Sequence, residues 1–137
     1  MFNEVNTCVD ILGLCETLLD DNISNVFNLP NHTAFHQFRD RNGGGVSLFI
    51  KEELVPEPIM EYSFTKPSIE MVSATYMAKS KPTFIASIYR PPKSDVNEFF
   101  NHLEAILDYF RSQNFEHFYL LGDWNVNLLD QSNSMTT

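Results

Sequence analysis

The sequence predicts an α/β domain of the α+β type, in which most of the sheet is antiparallel. Short apolar runs of strand length occur at 8–15, 45–51, 68–77 and 83–89, and turn signals lie between them. One later stretch has helical periodicity, and a further apolar run follows it. Strands that are joined by short turns favour hairpins, whereas regular alternation of strands and helices would favour a doubly wound parallel sheet.

Size and composition are those of one globular domain with an aromatic core. The chain has 137 residues, of which 43% are hydrophobic and 13% aromatic, and a chain of this length buries roughly two-thirds of its unfolded surface. No run of 18 apolar residues occurs, so we expect no membrane span. The N-terminus has no basic region followed by an apolar one, so no signal peptide is predicted and secretion is not expected.

Charge and cysteine spacing exclude two further classes. The net charge of −9 argues against non-specific binding to nucleic acid, which needs a basic face, although it is compatible with carboxylate metal ligands. In one extended strand, Cys8 and Cys15 would lie about 23 Å apart at roughly 3.3 Å per residue, whereas a disulfide needs less than about 7 Å. Their spacing matches no zinc motif. We therefore predict free thiols in a reducing compartment.

The first half of the chain predicts one strand and one hairpin. The run CVDILGLC (8–15) is short and apolar, and we expect it to be a strand that is buried on both faces. The segments TAFHQFRD (33–40) and GVSLFIK (45–51) flank the turn signal RNGGG (41–45), which predicts a hairpin. Two prolines in KEELVPEP (51–58) predict a loop.

The second half predicts another hairpin, a long helix and a last strand. SIEMVSATYM (68–77) and TFIASIY (83–89) form the hairpin, which ends at RPP (90–92) because proline cannot donate to the ladder. Asp95 and Glu98 have the spacing of an N-cap and its capping-box partner. The helix should end near 112–114, before the strand HFYLL (117–121). Apolar residues recur at helical spacing: Val96, Phe99, Phe100, Leu103, Ile106, Leu107 and Phe110.

Two predicted strands end in a carboxylate, where sheet proteins often bind ligands. Glu16 follows the first strand, and Asp123 follows the last strand after Gly122. Mg²⁺ takes one or two carboxylates together with waters and substrate phosphates. If the backbone stays extended, Asn125 lies on the same side as Asp123, where its amide can donate to a phosphate and accept from a water. The alternative is an Asx turn after Gly122, with Glu16 a solvated acid.

Other polar residues allow two interpretations each. Tyr89 and Arg90 could contact a phosphate, or Tyr89 could pack in the core with Arg90 in solvent. Trp124 could stack on a base, but packing beside the site is favoured. His32 and His36 are four residues apart in a loop and a strand, and no HExxH motif or third ligand accompanies them, so a metal role is not favoured.

Taken together, these segments resemble the endonuclease/exonuclease/phosphatase family, and most of all the endonuclease domain of non-LTR (LINE-like) retrotransposons. The resemblance implies a partial four-layer sandwich of two mixed β-sheets flanked by helices, over residues 1–130, with 131–137 as a polar tail. Five segments occur in the family order: DILGLCETLLDD (10–21), NGGGVSLFIK (42–51), SIEMVSATYM (68–77), ASIYRPPKSDVNEFFNHLEAIL (86–107) and YLLGDWNVNLLD (119–130).

By position, the resemblance also implies a role for each candidate residue. Glu16 resembles the metal-binding glutamate, and Asp123 the aspartate that orients or activates the attacking water. Asn125 resembles the asparagine that holds the phosphate and the water, and Tyr89 the tyrosine that contacts the scissile phosphate. Trp124 stands where Phe or Leu is common. The implied activity is hydrolysis of DNA phosphodiesters with Mg²⁺ (or Mn²⁺).

The resemblance further implies DNA as a partner, a reverse transcriptase domain on the same longer polyprotein, and a nuclear or cytoplasmic location. An asparagine-bearing first strand and a closing Ser-Asp-His of the family pattern have no counterpart in this sequence. We therefore expect an incomplete copy that does not cut DNA at a normal rate by itself. Alternatives are a non-catalytic remnant or interaction domain of the same fold, a phosphatase or other phosphodiesterase of the superfamily, and an unrelated α/β binding domain. Metal binding through Glu16 would distinguish a working site from a non-catalytic one.

Overall fold

A computed structural model describes residues 9–18, 29–39 and 43–127, and these residues form two β-sheets and one α-helix. The first sheet is antiparallel and has the strand order β1-β3-β2. The predicted hairpin is therefore present, with β3 in the middle of the sheet. The strands are β1 (Ile11–Cys15), β2 (His32–Gln37) and β3 (Val46–Lys51).

The second sheet is mixed and contains the second predicted hairpin. Its order is β4-β6-β7-β8, and β5 also pairs with β6. Strands β7 and β8 are parallel, because the helix α1 connects them as a crossover. The elements are β4 (Glu57–Pro58), β5 (Phe64–Lys66), β6 (Ile69–Ala78), β7 (Lys81–Tyr89), α1 (Val96–Ser112) and β8 (His117–Asp123), with 3₁₀ turns at Glu52–Leu54 and Met60–Tyr62.

The hairpin β6–β7 lies in the centre of the molecule because both of its faces are buried. Alternate side chains point to opposite faces of a strand. One face packs against β3 of the first sheet, and the other packs against Phe99, Leu103 and Ile106 of α1. The described residues therefore form three layers: sheet, sheet and helix. This arrangement confirms the predicted α+β fold class and is consistent with the sandwich.

The helix begins and ends as the sequence predicts. Asp95 is the N-cap, and its Oδ1 accepts the backbone N–H groups of Asn97 and Glu98 at 2.9 and 3.1 Å. At the other end, the N–H of Gln113 donates to the carbonyl of Phe110 at 3.2 Å. These contacts fix the crossover that places β8 beside β7.

Several expectations differ from the structure. Strand β1 is half-buried instead of buried on both faces, because it lies at the edge of the first sheet. The predicted loop 51–58 contains a 3₁₀ turn and the short strand β4. Cys15 is a free, half-buried thiol, whereas Cys8 and the tail 131–137 lie outside the described residues. Within the described ranges, the helix is not of a length and polarity that could cross a membrane.

Candidate active site at three strand ends

Three strands of the two sheets end close together. Tyr89, the last residue of β7, lies opposite Asp123, the last residue of β8, in the parallel register. The Tyr89 hydroxyl donates a hydrogen bond of 3.0 Å to Oε1 of Glu16, which directly follows β1. The two acids that the sequence places at strand ends therefore both flank Tyr89. We call Glu16, Tyr89 and Asp123 the acid cluster.

Gly122 allows Asp123 to reach this position. Its φ angle is +133°, in a region that side chains rarely adopt, and a Cβ atom at this residue would lie 1.8 Å from the carbonyl oxygen of Ile88. Strand β8 can therefore approach β7 this closely only with glycine at the contact. The N–H of Arg90 then donates to the carbonyl of Asp123 at 2.9 Å and extends the pairing beyond the strand ends.

The Cys15 thiol lies near both acids. Its Sγ donates to the carbonyl of Ile88 at 3.5 Å. Burial raises the pKa of Cys15, hydrogen bonds from the Asp123 main chain and from Ser87 oppose this change, and the charges of Asp123 and Glu16 raise the pKa further. Both carboxylates therefore act on the same thiol, which stays protonated at neutral pH.

Tyr89 is a hydrogen-bond donor rather than a base. Its side chain is 3% exposed. Burial, the hydrogen bond to Glu16 and the charges of Glu16 and Glu70 raise the pKa of Tyr89 to about 12, against a smaller opposing effect of Arg39. The phenol is therefore neutral at pH 7 and keeps its proton available for an anionic oxygen.

Asn125 and Arg90 bind each other's main chain. The Asn125 backbone turns, with φ 48°, and its N–H donates to Oδ1 of Asp123 at 3.1 Å. This is the Asx turn of the alternative interpretation, so the extended backbone that would place Asn125 and Asp123 on the same side is wrong. The Asn125 side-chain amide donates to the carbonyl of Arg90 at 2.7 Å, and the Arg90 guanidinium donates to the carbonyls of Asn125, at 2.8 Å, and Ser94.

Arg90 therefore lies neither in solvent nor toward the acid cluster. The residue is 8% exposed, and its guanidinium donates to two main-chain carbonyls. We call Arg90, Ser94 and Asn125 the loop clamp. Its contacts hold together the two segments that follow β7 and β8, and so fix the direction in which each strand end leaves the sheet.

The remaining candidates have structural roles. Trp124 is half-buried and packs edge-on against Phe99, with ring centroids 5.9 Å apart, which confirms the packing interpretation. The His32 ring bonds to the carbonyls of Pro30 and Val9, at 2.8 and 2.9 Å. His36 Nδ1 lies 2.7 Å from the Ser47 hydroxyl. Over 9–18, 29–39 and 43–127, no three His, Cys, Asp or Glu side chains are grouped so that they could hold a metal ion.

Two charged residues near Tyr89 were not predicted from the sequence. Glu70 lies opposite Tyr89 in the β6–β7 ladder and is fully buried. Its Oε2 lies 3.6 Å from Nη1 of Arg39, and its Oε1 accepts the Gly45 N–H at 2.7 Å. The sequence contains one indication of this pair: Glu70 lies within the apolar run 68–77, and a charge in a buried strand needs a partner.

The acid cluster fits the donor set that the family resemblance implies for Mg²⁺. This ion binds one or two carboxylates and completes its shell with waters and substrate phosphates. Glu16 and Asp123 are both exposed to solvent and lie on either side of Tyr89. Glu16 can therefore supply a carboxylate ligand, and because both acids are exposed, water and a phosphate can reach them.

Comparison with known proteins supports the fold. No protein-family model and no curated protein matches the chain. The structure is similar to a crystal structure of D. rerio TDP2 humanized by 14 mutations, with a TM-score of 0.64 and 13% identity, over 90% of this chain and 52% of that one. It is also similar to D. rerio TDP2 complexed with a single-strand DNA product, with a TM-score of 0.62 and 15% identity, over 90% of this chain and 51% of that one.

These similarities show that the chain shares its fold with these two solved structures. The chain spans about half the length of the two TDP2 chains. At 13% and 15% identity the likeness concerns the fold, so the retrotransposon branch, the activity and its substrate stay predictions.

Proposed function

We propose that this chain carries a metal-dependent phosphodiesterase site that hydrolyses DNA, as in the endonuclease domain of non-LTR (LINE-like) retrotransposons. The observation that supports this proposal most is the 3.0 Å contact between Tyr89 and Glu16, with Asp123 opposite Tyr89 in the parallel register. A nuclear or cytoplasmic location and a reverse transcriptase domain on the same longer polyprotein belong to the same proposal.

In the proposed reaction, a water attacks a DNA phosphate in line with the bond that breaks. Asp123 orients this water and accepts its proton, and the Asn125 N–H that binds Asp123 Oδ1 fixes the plane of the carboxylate. Tyr89 has one hydroxyl proton, which bonds to Glu16 in the free protein. In the proposed reaction the neutral phenol turns this proton to a phosphate oxygen, where charge increases in the transition state. One amide proton of Asn125 already binds the Arg90 carbonyl, so in this proposal its second amide proton contacts the phosphate and its amide oxygen the water.

Glu16 is the proposed metal ligand. A bound Mg²⁺ or Mn²⁺ would stabilise negative charge on the phosphate oxygens. The Tyr89 hydroxyl that donates to Glu16 Oε1 orients this carboxylate before a metal binds. Such a ligand held by a second residue is typical of metal sites.

The proposal is tested by two measurements on the same protein. The first is the binding of Mn²⁺ to the wild type and to Glu16→Gln, measured by calorimetry. The second is cleavage of an end-labelled DNA duplex under single-turnover conditions, with protein in excess so that slow cutting is detected. We expect Asp123→Asn to abolish cleavage, whereas Asp108→Asn, an exposed helix acid, serves as the control of equal charge change.

The outcomes separate the candidate functions. Metal binding that depends on Glu16, together with cleavage that depends on Asp123, supports the proposal. Absence of metal binding, or metal binding without any cleavage, supports the non-catalytic alternative. Cleavage that survives in both Asp123→Asn and Glu16→Gln would assign the activity to a contaminant or to another site.

A further inference from the structure

A partly exposed arginine lies at the rim of the acid cluster, beside a carboxylate that solvent cannot reach. The Arg39 side chain is 37% exposed, and its Nη1 lies 3.6 Å from Oε2 of Glu70, whose side chain is 0% exposed. Arg39 thus has one part against the protein and another part in solvent. This is the arrangement of a cation that is held in place but can still contact a ligand.

The surroundings of Glu70 explain why Arg39 stays there. Glu70 Oε1 accepts the Gly45 N–H at 2.7 Å. A Cβ atom at Gly44, whose φ is +78°, would lie 2.6 and 2.7 Å from the two Glu70 oxygens, so this turn needs glycine. Oε2 is buried and has no hydrogen-bond partner among the described residues. A buried carboxylate without a counter-ion is strongly unfavourable, so Glu70 keeps the Arg39 guanidinium nearby.

The register of the sheet places this pair next to the acid cluster. Glu70 and Tyr89 are opposite each other on β6 and β7, so their side chains lie on the same face. Tyr89 in turn contacts Glu16. The positive charge of Arg39 also lowers the pKa of Tyr89, against the larger effects that raise it, which agrees with a guanidinium close to the phenol.

We propose that Arg39 binds a phosphate group of the DNA strand at the acid cluster, and that Glu70 positions its guanidinium for this contact. The proposal rests on the proposed function and adds a substrate contact to it. The guanidinium has five N–H donors in a planar fork that matches phosphate oxygens. Its 3.6 Å distance to Glu70 exceeds the roughly 2.7–2.9 Å of a tight charge-assisted hydrogen bond, so donors stay available.

The negative charge around Tyr89 makes a nearby positive charge favourable for phosphate binding. Glu16, Asp123 and Glu70 carry negative charge around Tyr89, and the chain has a net charge of −9. Without a bound metal, a phosphate that approaches the exposed carboxylates would be repelled by them. Arg39 compensates part of this charge on the rim, where a DNA strand can reach it.

The test is the affinity for a fluorescein-labelled single-stranded oligonucleotide, measured by fluorescence anisotropy in Mg²⁺ over a series of KCl concentrations. We expect Arg39→Gln to weaken binding about 10-fold and to reduce the salt slope by about 0.7. Arg39→Lys should restore part of the affinity. Arg111→Gln is the matched control, because Arg111 has a 72% exposed side chain on α1 and its loss changes the net charge equally.

The variant Glu70→Gln distinguishes a role of Glu70 in positioning Arg39 from a general effect of its negative charge on DNA binding. Removal of one acid should strengthen binding of an anion if charge alone mattered. If Glu70 positions Arg39, the variant should instead bind about 3-fold or more weakly, while the amide can still accept the Gly45 N–H. Thermal unfolding curves show which variants are folded. Equal affinity of Arg39→Gln and Arg111→Gln, or tighter binding by Glu70→Gln, would overturn the proposal.

A second measurement keeps the inference independent of DNA cleavage and of DNA binding. The side-chain Nε–H signals of Arg39 and Arg111 are followed by NMR during titration of the wild-type protein with inorganic phosphate. Saturable shifts at Arg39 alone support the phosphate site, even if the oligonucleotide does not bind and the proposed function fails. No shift at Arg39, or the same shift at both arginines, overturns it.

Discussion

Tyr89 and Arg90 are neighbours in the chain, but their side chains belong to two polar clusters of different character. In the acid cluster, side chains contact each other, and Glu16 and Asp123 are exposed to solvent. In the loop clamp, Arg90 is buried and its guanidinium donates to main-chain carbonyls. Alternation along β7 places the two residues on opposite sides.

The difference shows what each cluster contributes. Buried polar groups that are paired with the main chain hold the backbone in one geometry. Exposed carboxylates at strand ends contribute little to stability, which is typical of residues kept for binding or chemistry. Changes in the loop clamp should therefore reduce stability, and changes in the acid cluster should reduce metal binding and activity.

Gly122→Ala should have the largest effect, because it separates the two strand ends that both clusters need. The added Cβ would lie 1.8 Å from a main-chain oxygen at a φ of +133°. We expect the free energy of unfolding to fall by about 4 kcal/mol or more, measured by urea denaturation. Gly13→Ala is the control, since its nearest contact would be 3.3 Å, to the Ser87 hydroxyl. Equal stability of the two variants would contradict the close approach of β7 and β8.

Arg90→Gln tests the loop clamp alone. The variant loses charge-assisted hydrogen bonds to two carbonyls and leaves these acceptors without a donor. We expect a loss of about 3 to 4 kcal/mol in the free energy of unfolding. Arg111→Gln, an exposed arginine with a partner on its own helix, should change stability by less than about 0.5 kcal/mol. A small loss for Arg90→Gln would show that the loops keep their geometry without the clamp.

The alkaline stability of the protein tests the environment of Tyr89. Its pKa is raised from 10.0 to about 12 in the folded state. The folded state thus keeps the phenol proton more tightly, and the resulting stabilisation is complete below pH 10 and is lost as the pH rises toward 12. Two pKa units correspond to about 2 to 3 kcal/mol. The decrease in unfolding free energy over this interval should be smaller by about this amount in Tyr89→Phe, as measured by denaturation at several pH values.

The other tyrosines with raised pKa values provide the reference for this experiment. Tyr76 is buried on the same sheet, away from the acid cluster, and burial raises its pKa. Tyr76→Phe should reduce the alkaline loss less than Tyr89→Phe, because the bond and the charge of Glu16 are absent there. Equal effects would mean that burial, and not the acid cluster, determines the Tyr89 pKa.

Local pattern predicted the helix, both hairpins and the strand-end positions of Glu16 and Asp123, because periodicity, caps and prolines act over a few residues. Pairing between distant segments could not be predicted in the same way. The turn at Asn125 depends on the Asp123 carboxylate and on the Arg90 carbonyl. Glu70 and Arg39 are 31 positions apart in the sequence, and they meet only because β3 and β6 pack face to face.

Glu16→Gln should have the smallest effect on stability and the clearest effect on metal binding. Glu16 is exposed, and the oxygen of glutamine can still accept the Tyr89 hydroxyl, so we expect the unfolding free energy to change by less than about 0.5 kcal/mol. The wild type should gain stability with Mg²⁺, by about 1.4 kcal/mol at ten times the dissociation constant, and the variant should gain none.

Glu53→Gln is the matched control for Glu16→Gln, since its side chain is 73% exposed and distant in the fold from the strand ends that form the acid cluster. It should keep the full Mg²⁺ response, measured as the shift of the denaturation midpoint. A normal Mg²⁺ response in Glu16→Gln would show that the metal does not bind at the acid cluster. A loss of stability in Glu16→Gln as large as that in Arg90→Gln would remove the distinction between the two clusters, because both would then hold the fold.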